Sequence, residues 1–295
     1  MTSSLRIVVK RNYLMRQILT CVALWPALLG SGSFLFAQEF SPAKCEEILG
    51  TLPKTFDVNL TAICKEAKLL EGCQSEKSVP IFHFERSTTS ENAKRILVFS
   101  LVHGDEPESG VVANMWMDRL LRIAPRSHWR IVPVMNPDGY AANSRLNSRG
   151  VDLNRNFPTT DWDRLALDAW DKRAKKDPRR YPGVSSGSES ETKCALSHIE
   201  TFKPDFVIAI HTPYGLLDFD GPKHLNFPKS FLPWISLGNF PGSLGRYMWA
   251  DRSIPVLTIE LSGKASLKSL SELDRLQDVS GTLAIQAAGK TQSVE

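Results

Sequence analysis

The chain has 295 residues, 42% of them hydrophobic, and a formal net charge of +4. That length can bury one substantial core, and single α/β domains of this size are ordinary. The surplus charge sits at the start: Arg6, Lys10, Arg11 and Arg16 precede any acidic residue, and beyond them 32 basic side chains face 32 acidic ones. A neutral remainder gives no reason to expect a nucleic-acid partner.

The same basic start leads into a mostly apolar run, Ile18–Phe36, with small residues at Gly30–Ser33 and Ala37 ahead of the polar Gln38. This is the layout of a secretory signal peptide over residues 1–37, and it predicts an exported, periplasmic protein. The alternative is an uncleaved anchor, because the run approaches the ~20 residues that span a bilayer. No other membrane partner is indicated. Four cysteines remain after residue 37: Cys45, Cys64, Cys73 and Cys194. An even number in an exported chain permits disulfides, and the three early ones lie close together. Cys194 falls inside an amphipathic pattern, where a buried thiol is the simpler expectation.

Residues 38–80 are expected as a small N-terminal helical extension, with helical apolar spacing at Pro42–Leu52 and Leu60–Leu70 and breaks at Pro53 and Gly72. From residue 81 to 295 strand-like and helical stretches alternate. Strands are predicted at Val79–Phe84, Ile96–Val102, Arg130–Met135, Asp205–Ile210 and Pro255–Leu261. Helices are predicted at Val111–Leu121, at Ser188–Lys203 with Ser188 and Glu191 spaced as a capping box, and at Lys268–Ile285. Asn136-Pro137-Asp138-Gly139 reads as a turn, and the charged stretch Asp161–Pro182 as a surface excursion near the site. Such alternation implies an α/β fold, a mixed, mainly parallel sheet between helices, with ligands gathering at the carboxyl ends of strands.

Three apolar runs end in residues suited to metal chemistry. Val98–Val102 leads into His103, Val207–Ile210 into His211, and Val256–Ile259 into Glu260. Glu106 lies three positions beyond His103. One histidine at a strand end is most often a satisfied structural residue. Three strands ending in His, His and Glu, with a further carboxylate nearby, are harder to attribute to structure alone. Imidazole and carboxylate are the usual ligands of a hydrolytic zinc.

Between these runs lies R-L-N-S-R-G-V-D-L-N-R-N-F, Arg145 to Phe157. With His103-x-x-Glu106, His211 and the T-I-E-L stretch at Glu260, it resembles the zinc carboxypeptidase (M14-type) family over roughly residues 95–265. Within that family, HTPYGLLDFDGP and PGSLGRYMWADRSIPVLTIEL look more like the bacterial murein peptide amidases than the digestive carboxypeptidases. The resemblance implies one Zn2+ held by His103, Glu106 and His211, with Glu260 as the catalytic carboxylate. It implies that Arg145 steadies the oxyanion, and that Asn154 and Arg155 hold a terminal carboxylate of the substrate. Arg149 is out of register for the Arg145 role. Asp105 is a candidate to orient a ligand, and His83, His128, His198 and His224 fit no metal position. Where the digestive enzymes carry a capping tyrosine, this chain has Leu237 near that position.

Three functions are open on this reading. The first is an amidase cutting peptidoglycan stem peptides between γ-D-glutamate and diaminopimelate. The second is a carboxypeptidase on ordinary peptides, or a deacylase of N-acyl amino acids. The third is a non-catalytic peptidoglycan-binding module, which would have no use for Glu260. In Pro241–Trp249, the small Gly242, Ser243 and Gly245 beside Arg246 predict a roomy pocket, in which Arg246 pairs with a carboxylate of the leaving residue's side chain. N-terminal sequencing of the native protein is expected to begin near Gln38; an intact Met1 would favour the anchor.

Overall fold

The computed structural model describes residues 41–223 and 225–291. The leader segment 1–37 and His224 lie outside them. Two short helices come first, α1 (Pro42–Gly50) and α2 (Leu60–Glu66). Each has a polar cap, with Ser41 Oγ accepting from Lys44 N–H and Asn59 Oδ1 from Ala62 N–H.

The expected second helix stops short of Leu70. Ala67–Gln74 is instead strand β1, paired antiparallel with β2 (Pro80–Arg86) through Ala67↔Phe84, Lys68↔His83 and Leu69↔Phe82. The extension is therefore helical only in part. A free sheet edge and the covalent tie at Cys73 outweigh a weak local helical pattern. Next come β3 (Arg95–Ser100), α3 (Pro107–Arg122), β4 (His128–Val132) and a single helical turn, α4 (Pro137–Ala141). The 161–182 excursion contains α5 (Trp162–Asp168). Then follow α6 (Ser190–Phe202), β5 (Phe206–His211), β6 (Leu216–Asp220), β7 (Val256–Glu260) and α7 (Leu270–Thr291).

The seven strands form one sheet in the order β1-β2-β4-β3-β5-β7-β6. The central four are mutually parallel, and the flanking pairings are antiparallel. Alternate residues point to opposite faces, as the strand period of two requires. Ile96, Val98, Ile208, Ile210, Leu257 and Ile259 pack on the side covered by α1, α2, α3 and α7. Leu97, Phe99, Val207, Ala209 and Val256 pack on the side covered by α6 and the irregular segments around Leu153–Phe157 and Leu244–Met248.

α6 begins two residues later than expected and has no capping box. Ser188 Oγ bonds Glu189 Oε1 and Asn156 Nδ2 instead, while Glu191 turns inward to accept from Asn147 Nδ2 and Glu76 N–H. Cys194 is not a free thiol: it is bonded to Cys73, and Cys45 to Cys64. The first bridge ties α6 to β1, and the second joins α1 to α2. No helix among the described residues is long and apolar enough to cross a membrane.

The two bridges close loops of very different span, 121 and 19 residues in sequence. Loop-closure entropy makes the longer one worth about 1.5 kcal/mol more. Denaturant titration should show the Cys73→Ser/Cys194→Ser pair destabilised more than Cys45→Ser/Cys64→Ser. Equal losses would mean that native-state packing, and not the unfolded chain, sets the effect.

Candidate metal centre and substrate cavity

The chain leaves β3 through Leu101, whose φ of 47° ends the extended run and swings His103 over the strand end. The turn is held by Ser109, whose Oγ accepts from Leu101 N–H and donates to the Glu106 carbonyl at 2.7 Å. Gly104 passes so close to the α4 turn that an added Cβ would lie 2.0 Å from the Gly139 carbonyl carbon. Only glycine fits there. Glu106 is the N-cap of α3, with Pro107 in the first turn, but its carboxylate makes no capping bond and turns to the two histidines instead.

Two more strand ends complete the cluster. β5 and β7 run parallel with His211 opposite Glu260. His103 Nδ1 lies 2.8 Å from Glu106 Oε1, His211 Nδ1 lies 2.9 Å from Glu106 Oε2, and the two Nδ1 atoms are 3.1 Å apart. All three side chains are buried. Burial alone would disfavour the Glu106 carboxylate, but the two imidazoles outweigh it and hold its pKa well below the usual range. Three donors, two nitrogens and a carboxylate, thus converge within 4.8 Å of one another, the ligand set of a divalent metal that keeps an open position.

The second nitrogen of His103 strengthens that fit. Its Nε2 bonds Asp152 Oδ1 at 3.2 Å, which leaves Nδ1 free to act as a ligand. Asp152 is fully buried, and its other oxygen holds Arg145 through Nη2 at 2.9 Å and Nε at 3.2 Å. The guanidinium is thereby kept beside the cluster, with Nη1 3.2 Å from His103 Nδ1. Among the described residues two other groups could in principle hold an ion, and neither is free to. Cys73 and Cys194, beside His198, are in a disulfide, and the carboxylates of Glu76, Glu189 and Glu191 are committed to Asn147, Ser188 and backbone N–H groups.

A cavity of about 600 Å³ opens over this centre. Glu260 lines it, 7% exposed, with Oε2 unpartnered, and burial pushes its carboxyl above the usual range against the pull of His211. Asn154 and Arg155 line it too. Asn154 Oδ1 accepts from Leu244 N–H, and the Arg155 guanidinium lies 4.6 Å over the Phe240 ring, with its Nη1 donating to the Asn154 carbonyl. No ion pair to Arg155 occurs among the described residues. Leu237 and Tyr214 are at the wall, as are Asp177, Arg179 and Arg180 from the predicted surface excursion.

Two expectations need correction. Arg246 does not reach the cavity: its guanidinium forms a two-pronged pair with Asp161, and a third nitrogen points to Asn239 Oδ1. A carboxylate already opposite an arginine leaves it little charge for a ligand. Asp105 does not orient His103; it pairs with Arg179 at 2.8 Å, and Asp152 has the orienting role. Asp152 sits inside the quoted G-V-D-L-N-R-N-F stretch, so its signal was in the motif. Strand β6, L-L-D-F-D, was missed altogether, and with it Asp218 and Asp220, both at the cavity wall. His83 and His198 are buried against each other, ring centroids 4.9 Å apart, away from the metal ligands as expected. Replacing Asp152 by Ala removes the acceptor that orients His103 and is expected to weaken metal binding by about 10–100-fold. Competition with a chromophoric zinc chelator measures it; unchanged affinity would assign Asp152 to Arg145 alone.

The comparisons with known proteins agree with this geometry. A family model described as zinc carboxypeptidase matches residues 72–217. Murein peptide amidase A of Escherichia coli (strain K12) is 31% identical over 193 residues, covering 61% of this chain and 78% of that protein. The protein of the same name from Vibrio campbellii is 29% identical over 199 residues, 64% of this chain and 77% of its own. The crystal structure of murein-tripeptide amidase from Escherichia coli O157 superposes with a TM-score of 0.53 at 26% identity, over 71% of this chain and 90% of that one. Thrombin activatable fibrinolysis inhibitor, 15% identical, shares the fold with a TM-score of 0.60 over 86% and 75% of the two chains. The strand-end histidines, the carboxylates and the sheet that carries them are those of a hydrolytic metalloenzyme, and the chain belongs to the zinc carboxypeptidase family.

Proposed function

We propose that the protein is an exported amidase with one zinc per chain, which hydrolyses the bond between γ-D-glutamate and diaminopimelate in peptidoglycan stem peptides. The observation that carries an enzymatic reading is Glu260, a buried carboxylate that lines the cavity beside three convergent metal donors and has one oxygen, Oε2, without a partner. A binding module gains nothing from such an atom, and its desolvation is costly unless a substrate or water uses it. The relatives named murein peptide amidase A support the substrate class.

His103, Glu106 and His211 would hold the zinc, and when bound it lowers the pKa of water towards ~7 and polarises a carbonyl. Glu260 takes a proton from the attacking water on Oε2 and returns it to the leaving nitrogen. Arg145 keeps its charge at any working pH, and Asp152 holds it where negative charge develops on the carbonyl oxygen. Arg155, half-buried and without an ion-pair partner among the described residues, offers its planar fork to the terminal carboxylate of the leaving residue, and Asn154 lies beside it. That places the scissile bond between Arg155 and the metal ligands.

The test is mass spectrometry of muropeptides before and after incubation with the purified protein, alongside Glu260→Gln. Release of diaminopimelate-bearing products is expected from the wild type. Glu260→Gln should keep its zinc and lose about 10²–10⁴ in turnover, the usual share of general acid–base catalysis. Cleavage of ordinary α-peptides with intact stem peptides would transfer the reading to a conventional carboxypeptidase.

A further inference from the structure

Two acidic side chains on one strand line the cavity and take no part in the mechanism above. Asp218 and Asp220 alternate with Leu217 and Phe219 along β6, and both carboxylates line the cavity. Leu217 and Phe219 pack into the apolar layer on the opposite face. Asp218 is 5% exposed. Its carboxylate accepts backbone hydrogen bonds from Leu237 and Phe219, and Asp220 Oδ1 accepts from Asn239 Nδ2 at 3.2 Å. Among the described residues neither meets a lysine or arginine, although buried carboxylates are ordinarily paired.

Their place relative to the chemistry follows from strand register. Asp218 is opposite Thr258 on β7, and Thr258 is two residues before Glu260 on the same face. Two residues of strand span ~7 Å. The segment 237–245 forms the adjoining wall and touches both ends of the space. Leu237 N–H and Asn239 reach the two carboxylates, while Phe240 lies under the Arg155 guanidinium. Gly245 lets Asp220 lie against the backbone, since a Cβ there would come within 2.2 Å of its Oδ2. A leaving residue held by its α-carboxylate at Arg155, with its amide nitrogen at Glu260, would direct its side chain past Thr258 towards the two acids.

We infer that Asp218 and Asp220 form the floor of the leaving-residue pocket and select a side chain ending in an ammonium group. A four-carbon stem matches the span, as in lysine or diaminopimelate. The inference rests on the proposed orientation of substrate at Arg155. It replaces Arg246 as the source of selectivity and reverses the sign of what is read: the pocket recognises the distal amino group, not the distal carboxylate. Burial, with repulsion from Asp220, raises the Asp218 carboxyl to about 6, and a bound cation would relieve both effects.

The experiment compares two pairs of stem tripeptides, each differing by one ammonium: a lysine terminus against norleucine, and diaminopimelate against 2-aminopimelate. The wild type should favour the ammonium-bearing member of each pair by about 10²-fold in kcat/KM, since a site built for a polar group rejects an analogue lacking it strongly. Asp218→Asn keeps the shape and removes the charge, and Asp220→Asn does the same at the more exposed position. Each should shrink the ratio towards one while the norleucine and 2-aminopimelate rates change little. A purely structural role would lower all four rates together and overturn the inference. So would a wild-type ratio near one, or a ratio that survives in the double variant. If γ-linked peptides are not cleaved at all, the functional reading fails separately, and α-linked peptides with the same four termini still measure the pocket's choice.

Discussion

Parallel pairing brings the carboxyl ends of neighbouring strands to one edge of a sheet, and here it does so in a strict register. Ser100 pairs with Ile210 and His211 with Glu260, so β3, β5 and β7 end together. The strand period then puts His211 and Glu260 on one face, the face opposite Ile210 and Ile259. A slip of one residue in β7 would turn Glu260 into the apolar layer beneath α7. The ligands and the acid–base carboxylate are therefore positioned by the same interdigitation of aliphatic side chains that stabilises the domain.

Fixing the strand ends does not aim an imidazole, and a buried hydrogen-bond relay supplies the rest. Asp152 receives His103 on one oxygen and Arg145 on the other. Burial works against its charge, but Arg145 and His103 together hold the carboxyl well below the usual range, so it remains an acceptor. One carboxylate thus sets both the ring orientation of a metal ligand and the position of a cation. Neither could be moved without disturbing the other, which is how such shells gain precision from few residues.

What the sequence disclosed and what it concealed divide along physical lines. β3, β5 and β7 were legible because they are buried on both faces and read as unbroken apolar runs ending in His, His and Glu. β6 was not: five residues with two inward-facing acids give no apolar run, and the two-residue alternation is too short to stand out. Leu60–Leu70 misled because its spacing suits a helix, and only β2, remote in sequence, decides that its second half is a strand. Cys194 looked like a core thiol because its partner lies 121 residues away on that same misread strand. Arg246 failed for a related reason, since Asp161, which occupies its guanidinium, comes from the excursion and not from the pocket segment.

These failures share a location, the elements flanking the parallel centre. β6 is an edge strand whose inner face meets a cavity instead of a helix, so polar substitutions there cost little core. The central strands have no such latitude, being covered by α3 and α7 on one side and α6 on the other. Chemistry placed on the centre and selection placed on the edge can vary independently. The wall at 237–245 links them, because Phe240 lies under Arg155 while Leu237, Asn239 and Gly245 meet Asp218 and Asp220. A change of leaving-group preference within this architecture would then need new side chains on β6 and that wall, with His103, Glu106, His211 and Glu260 left untouched.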